Sequence, residues 1–392
     1  MNGTVLPTDY ADARNVILSG GGNDTINAEA IVQSSGDALS SATPRGGLAV
    51  NSIDAGTGAD DVTVRTFLLA RQSDIGTQRA FAFIDGGTGK DTIDATLGTN
   101  STFFVANFDF DSTIQGGAAN DVITSTIDLS AATKFTGTSE IFGGSGSDNI
   151  TTSLAFSSPA AADIGVTETT WAGAGLDTIT ATLDTSGMAA GSTGLPIIRL
   201  FGEAGGDTIS ATAIGSSGAF QIEGGDGDDV ITLSNTILNP VQSILNGDAG
   251  NDTITGGTGR EQINGGTGED VLIASIQGST FRGGPVAAIP GDGEADTFVF
   301  DPTIGQGSNT IIDFEAAHDI LQFTGVVDAG ASGLADDIDA LITTYSDFGP
   351  GTDRYIVLSS GTYIQFNDTG MGPGTFTSIA DMVADPLTQL IA

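Results

Sequence analysis

Aspartates recur at a fixed offset behind paired glycines and ahead of an aliphatic residue, in the pattern Gly-Gly-x-Gly-x-Asp-x-aliphatic. Early copies are Gly20-Gly21-Gly22-Asn23-Asp24-Thr25-Ile26, Gly56-Thr57-Gly58-Ala59-Asp60-Asp61-Val62 and Gly86-Gly87-Thr88-Gly89-Lys90-Asp91-Thr92-Ile93. Later copies end at Asp121, Asp148, Asp177, Asp207 and Asp229, then at Asp252, Glu261 and Asp270 in nine-residue steps, and a last frayed copy ends at Asp296. Each part of the unit has a use. Glycine tolerates positive φ and lets backbone carbonyls crowd inward, Asp presents a carboxylate, and the aliphatic residue returns to a core. Hard oxygens gathered this way suit calcium, which accepts roughly six to eight oxygen ligands in flexible geometry, better than magnesium, which insists on a tight octahedron. Chance turns would not keep the same offset from copy to copy.

Other chemistries are short of residues. There is no cysteine, so disulfides and thiolate sites are excluded, and His318 is the single histidine, which rules out multi-imidazole zinc sites. His318 reads as a surface or packing residue. The acidic pairs Asp60-Asp61 and Asp228-Asp229 lie inside the repeat, and neither His-Glu-x-x-His nor Gly-x-Ser-x-Gly occurs. The expectation is a chain that is not an enzyme.

The elements that hold the aspartates follow from the spacing. From Asp24 to Asp252 the steps are 36, 31, 30, 27, 29, 30, 22 and 23 residues. Each coil therefore reads as one calcium turn, a strand, a variable loop, and a return strand such as Phe81-Ala82-Phe83-Ile84 or Gly218-Ala219-Phe220-Gln221-Ile222. Calcium should line one edge and loops the other. The strands after the turns, such as Thr92-Ile93-Asp94-Ala95-Thr96-Leu97 and Thr178-Ile179-Thr180-Ala181-Thr182-Leu183, send Ile and Ala one way and Thr the other. Ala119, Glu203, Asp248 and Glu261 depart from the repeat, the first three at glycine positions, and mark its weaker copies.

The pattern resembles the RTX family of hemolysin-type calcium-binding repeats, and it covers residues 17–300. The resemblance implies an all-β fold, a right-handed parallel β-roll or β-solenoid with calcium-binding Gly-Asp turns. It also implies that aspartates of successive turns on one edge share an ion. The implied ligands are Asp24, Asp60, Asp91, Asp121, Asp148, Asp177, Asp207, Asp229, Asp252, Glu261, Asp270 and Asp296. In the family a coil is two nonapeptides, whereas here only the stretch from 252 to 270 keeps the nine-residue step. Residues 1–16 are then a lead-in or N-terminal cap. Residues 301–392 are a β-rich C-terminal cap with strands at Tyr355-Ile356-Val357-Leu358 and Tyr363-Ile364-Gln365-Phe366. The apolar tail Ile379–Ala392 is similar in character to the family's uncleaved type I secretion signal.

Acidic residues outnumber basic ones 49 to 11, a net charge of −38, which sets the chain against phosphates and against itself. Nucleic acid is not an expected partner, and no apolar run is long enough to span a membrane. The N-terminus has neither a basic nor an apolar signal region, which fits export by another route. The expectation is a secreted or cell-surface protein that meets calcium outside the cell, folds into a rigid rod and self-associates into a surface layer, sheath or matrix fibre, with cell-surface polysaccharide a further partner. The alternative is an adhesin or ice-binding protein that uses its Thr ladders or loops.

Overall fold

A computed structural model describes residues 12–34, 47–70, 77–99, 107–130, 132–158, 162–235, 241–285, 292–315, 318–326, 342–347, 354–366 and 389–391. The chain forms two compact units, 1–221 and 222–392.

In the first unit the chain alternates between two parallel sheets, one strand of each per coil. The first sheet pairs Asp12–Leu18, Leu48–Asp54, Thr77–Asp85, Asn107–Ala118, Lys134–Ser145, Asp163–Ala174 and Ile197–Ala204 in that order. The second pairs Thr25–Ser34, Asp61–Ala70, Thr92–Thr99, Val122–Ser130, Asn149–Ser158, Thr178–Met188 and Thr208–Ile214. The Gly-Asp turns connect first to second, all on one edge. The other edge, expected to carry the variable loops, falls largely on residues outside the described ones.

Registration explains why the turns align. Ile26, Val62, Ile93, Ile123, Ile150, Ile179 and Ile209 are buried in one file and in register from strand to strand. A one-residue slip would turn that file outward, and burying one such side chain stabilises by about 1.5–3 kcal/mol. Opposite them the second sheet presents polar files, Thr124-Thr151-Thr180-Ser210 and Thr96-Thr126-Ser153-Thr182-Thr212. On the outer face of the first sheet Phe142, Trp171 and Phe201 stack in adjacent strands, with centroids 4.6 and 5.8 Å apart.

The second unit continues the alternation in shorter strands. Ser243–Ala249, Glu261–Thr267, Ser279–Arg282, Ser308–Ile311 and Tyr363–Phe366 are parallel in one sheet, and an antiparallel hairpin of Arg354–Leu358 and Ile342–Asp347 follows. Its other sheet runs Val230–Asn235, Thr253–Thr255, Val271–Ile273, Thr297–Phe300, Ile320–Phe323 and Gln389–Ile391. The coiled pattern includes residue 12 in the first unit and runs past residue 300 in the second. Of the tail Ile379–Ala392, all but Gln389–Ile391 lies outside the described residues.

Candidate calcium-binding ladder

Beyond the first turn, the turns stack so closely that most positive-φ glycines of the repeat have a carbonyl of the preceding coil where a side chain would begin. Gly89 holds φ 125°, and a Cβ there would overlap the carbonyl oxygen of Gly58 in the preceding coil. Among the described residues, the non-glycine residues with positive φ are Ala119 at 89°, Glu203 at 73° and Asp248 at 76°. They are the residues that replace glycine in the repeat, so the fold imposes the turn even where the sequence resists it.

Within each turn the aspartate is fastened to the next coil. The amide of Asp24 donates to Oδ1 of Asp60 at 2.7 Å, Asp60 to Asp91 at 2.8 Å, and Asp91 to Asp121, Asp121 to Asp148, Asp148 to Asp177 and Asp177 to Asp207 at 2.7 Å each. The second unit repeats this from Asp229 to Asp252 and from Asp252 to Asp270 at 2.8 Å, and from Asp270 to Asp296 at 3.0 Å. The aspartate carbonyls are used by the sheet: Thr92 N–H donates to Asp60 O and Val122 N–H to Asp91 O. The backbone of the ladder and one carboxylate oxygen per rung are therefore satisfied.

The other oxygen is not. Oδ2 of Asp24, Asp60, Asp91, Asp121, Asp148, Asp177, Asp252 and Asp270 is buried with no hydrogen-bond partner. An ionised oxygen in that state is expensive unless a cation or proton meets it. Burial, followed by the charges of neighbouring rungs, raises Asp121 to about 7 and Asp270 to about 8. Burial likewise raises Asp252 and Asp296 to about 7, with further acidic neighbours contributing. Asp91, Asp148 and Asp177 are raised for the same first reason.

In the turns of Asp91, Asp121, Asp148, Asp229, Asp252 and Asp270 the first glycine opens a cradle beside Oδ2. A Cβ on Gly86 would lie 2.9 Å from Asp91 Oδ2 and 2.7 Å from the Gly116 carbonyl, and one on Gly116 would lie 2.7 Å from both Asp121 Oδ2 and the Gly143 carbonyl. A carboxylate of one coil and a carbonyl of the next face the same space. The donor set is oxygen alone, which fits calcium and offers soft metals nothing. Among the described residues no group of three or more His, Cys, Asp or Glu converges, so carboxylates enter one per rung and carbonyls must supply much of any shell.

The sequence profile of the RTX calcium-binding nonapeptide repeat (4 copies) matches residues 11–30, 83–101, 108–126, 210–235 and 244–272. The chain carries RTX calcium-binding nonapeptide repeats over those segments. No curated protein matches it. The matched segments hold Asp24, Asp91, Asp121, Asp229, Asp252 and Asp270, while Asp60, Asp148, Asp177, Asp207 and Asp296 lie between or beyond them on the same ladders.

Not every sequence-predicted site residue joins the RTX ladder. Glu261 opens a strand of the other sheet, in register with Ser243 and Ser279, away from Asp252 and Asp270. It is buried, receives Asn235 Nδ2 at 3.3 Å, and burial raises it to about 7. The pairs Asp60-Asp61 and Asp228-Asp229 are not dyads: Asp60 and Asp229 are buried on the ladder, whereas Asp61 and Asp228 are exposed. His318 is half-exposed, its Nδ1 3.3 Å from Glu315 Oε2.

Two features escaped the sequence reading. Asp319 extends the ladder, accepting the Asp296 amide at 3.2 Å and, through Oδ2, the Glu315 amide at 2.6 Å. Its only signal was Asp319-Ile320-Leu321, the end of the repeat without its glycines. The residue before the aspartate also forms an outer ladder. Asn23 Oδ1 accepts the Ala59 amide and Asn120 Oδ1 the Ser147 amide, both at 3.0 Å, Asp228 Oδ1 the Asn251 amide at 2.8 Å, and Asn251 Oδ1 the Glu269 amide at 2.9 Å. Asparagine at that place in several copies was the available clue.

Proposed function

We propose that this protein is an exported calcium-dependent scaffold that folds on meeting extracellular calcium and assembles into a surface layer, sheath or matrix fibre. Its carboxylate ligands are Asp24, Asp60, Asp91, Asp121, Asp148, Asp177, Asp207, Asp229, Asp252, Asp270 and Asp296 on the two ladders, with Glu261 on the opposite edge. Ions lie between successive rungs, and backbone carbonyls complete their shells. The observation that carries this reading is the buried, partnerless Oδ2 repeated from rung to rung beside a carbonyl-lined cradle.

Without calcium the turns stack like charges in a chain of net charge −38. Extracellular calcium sites have dissociation constants of about 0.1–1 mM, matched to the outside of a cell and not to the inside. At ten times that constant one ion stabilises the fold by about 1.4 kcal/mol, so about ten independent ions supply on the order of 14 kcal/mol, a whole domain's stability. They also cancel roughly 20 negative charges. Export by a type I route would keep the chain extended until calcium is met.

The threonine and serine files of the second sheet favour one other reading, an adhesin or ice-binding protein that uses that regular polar face. Circular dichroism with light scattering separates the two as calcium is titrated from chelator to several millimolar. Cooperative gain of β-structure followed by large assemblies is expected. Folding without assembly would favour the second reading, and a fold indifferent to chelator would sink both.

A further inference from the structure

The turn that ends at Asp296 contains an acid outside the repeat positions of Asp270 and Asp296. Asp292 Oδ1 accepts the Glu294 amide at 3.1 Å, while its Oδ2 is buried and has no hydrogen-bond partner. Gly284 lies against that carboxylate, where a Cβ would be 3.2 Å from Oδ2. One coil earlier Asp270 is 1% exposed, and its Oδ2 is equally without a partner. Gly284, against which Asp292 lies, directly follows Gly283 in the chain. The Gly283 carbonyl borders the same space: a Cβ on Gly265 would overlap Asp270 Oδ2 and lie 2.7 Å from Gly283 O.

Beyond this level the acids are already occupied. Asp313 accepts the amides of Gly283 at 2.9 Å and Gly284 at 3.2 Å, with Arg282 Nη1 4.0 Å away. Asp319 accepts those of Asp296 and Glu315. Glu203 and Asp248, which stand four residues before Asp207 and Asp252 as Asp292 stands before Asp296, are exposed. The Gly86–Asp91 turn of the first unit carries Gly87 at that place, and Thr88 and Lys90 where the Gly224–Asp229 turn carries Asp226 and Asp228.

We infer that Asp292 is a calcium ligand outside the repeat pattern, closing with Asp270 and the Gly283 carbonyl a site of higher carboxylate count, and hence higher affinity, than the rungs of the first unit. This rests on the calcium reading above. Affinity of oxygen sites for calcium rises with ligand charge and rigidity, and both orphaned oxygens are held in place by turn hydrogen bonds made through their partner oxygens.

The test is a calcium titration of the full chain against a chromophoric chelator, with D292N, E294Q and the unaltered protein compared. Glu294 is an exposed neighbour, so E294Q removes the same charge without removing a ligand. The expected result is that D292N weakens the tightest binding step about tenfold, while E294Q stays within about twofold because exposed charge is screened. Asp292→Ser keeps an acceptor for the Glu294 amide and repeats the comparison if Asn disturbs the turn, with circular dichroism at saturating calcium verifying the fold. A D292N titration that matches the unaltered protein, or an E294Q loss as large as that of D292N, overturns the inference while leaving the calcium scaffold standing. Absence of calcium binding by the unaltered protein overturns the scaffold reading itself.

Discussion

Thr152 Oγ1 donates a hydrogen bond to Oε1 of Glu168, joining the two sheets of the first unit through a carboxyl group that is completely buried. Oε2 of Glu168 has no partner, and neither does the hydroxyl of Ser139, its register neighbour on the adjacent strand. Burial raises this carboxyl from 4.5 to about 7, and the Thr152 hydrogen bond only partly opposes it. A group whose folded-state value is raised contributes stability that is fully present below about 4.5 and is lost as pH climbs through about 7, here up to about 3 kcal/mol. Glu168→Gln should therefore flatten the pH dependence of stability between pH 5 and 8. Urea denaturation of both proteins at saturating calcium measures it, and parallel curves would refute the assignment.

Asp121 tests the ladder by a reversal of sign. Its Oδ1 accepts the Asp91 amide at 2.7 Å, which asparagine can still do, and its Oδ2 lies in the cradle that the Gly143 carbonyl borders. Asp121→Asn replaces a buried charge with an amide that can donate. In chelator the variant should be the more structured of the two proteins. In calcium it should be the less stable, by about 1.4 kcal/mol per ion lost at ten times the dissociation constant. Circular dichroism under both conditions decides, and a loss of structure in both would mean that the aspartate serves packing alone.

The stacked turns make the glycines unequal. Gly89→Ala forces a Cβ into the Gly58 carbonyl at φ 125°, and should cost about 3 kcal/mol or more. Ala119 already occupies such a backbone at 89°, so Ala119→Gly should stabilise by about 1 kcal/mol. Denaturant midpoints at saturating calcium check both.

Much of this was legible because the repeat ties backbone and chemistry together. Gly86-Gly87-Thr88-Gly89 and Asp91 specify the turn, the carboxylate and the entry to the second sheet in one stretch, and the coil lengths follow from the intervals. The nine-residue step makes Glu261 look like one more rung on the same edge, whereas half a coil places it in the opposite sheet. Glu168 was invisible for another reason: it sits in a Thr-rich strand, Val166-Thr167-Glu168-Thr169-Thr170, where alternation alone does not say which polar residues turn inward. Asp319 lacks the glycines that mark other rungs, and only the pairing of Thr297–Phe300 with Ile320–Phe323 brings it under Asp296.

Asp319 yields the last prediction. It ends the described rungs by accepting two amides, from Asp296 at 3.2 Å and Glu315 at 2.6 Å, where Asp121 accepts one through Oδ1 and leaves Oδ2 to the cradle. Burial raises it to about 8, the amides of Glu315 and Asp296 opposing the rise and the nearby charges of Asp296 and Asp313 adding to it. Asp319→Ala leaves two amides without their carboxylate, and bonds to charged groups contribute about 1.5–3 kcal/mol each. The loss should be local to the last coils, so amide exchange at Asp296 and Glu315 should accelerate by about a hundredfold while that at Asp121 and Asp148 stays unchanged. Asp319→Asn retains one acceptor and should fall between the two. Exchange that accelerates equally along the whole chain would show that Asp319 holds the global fold and not its final rung.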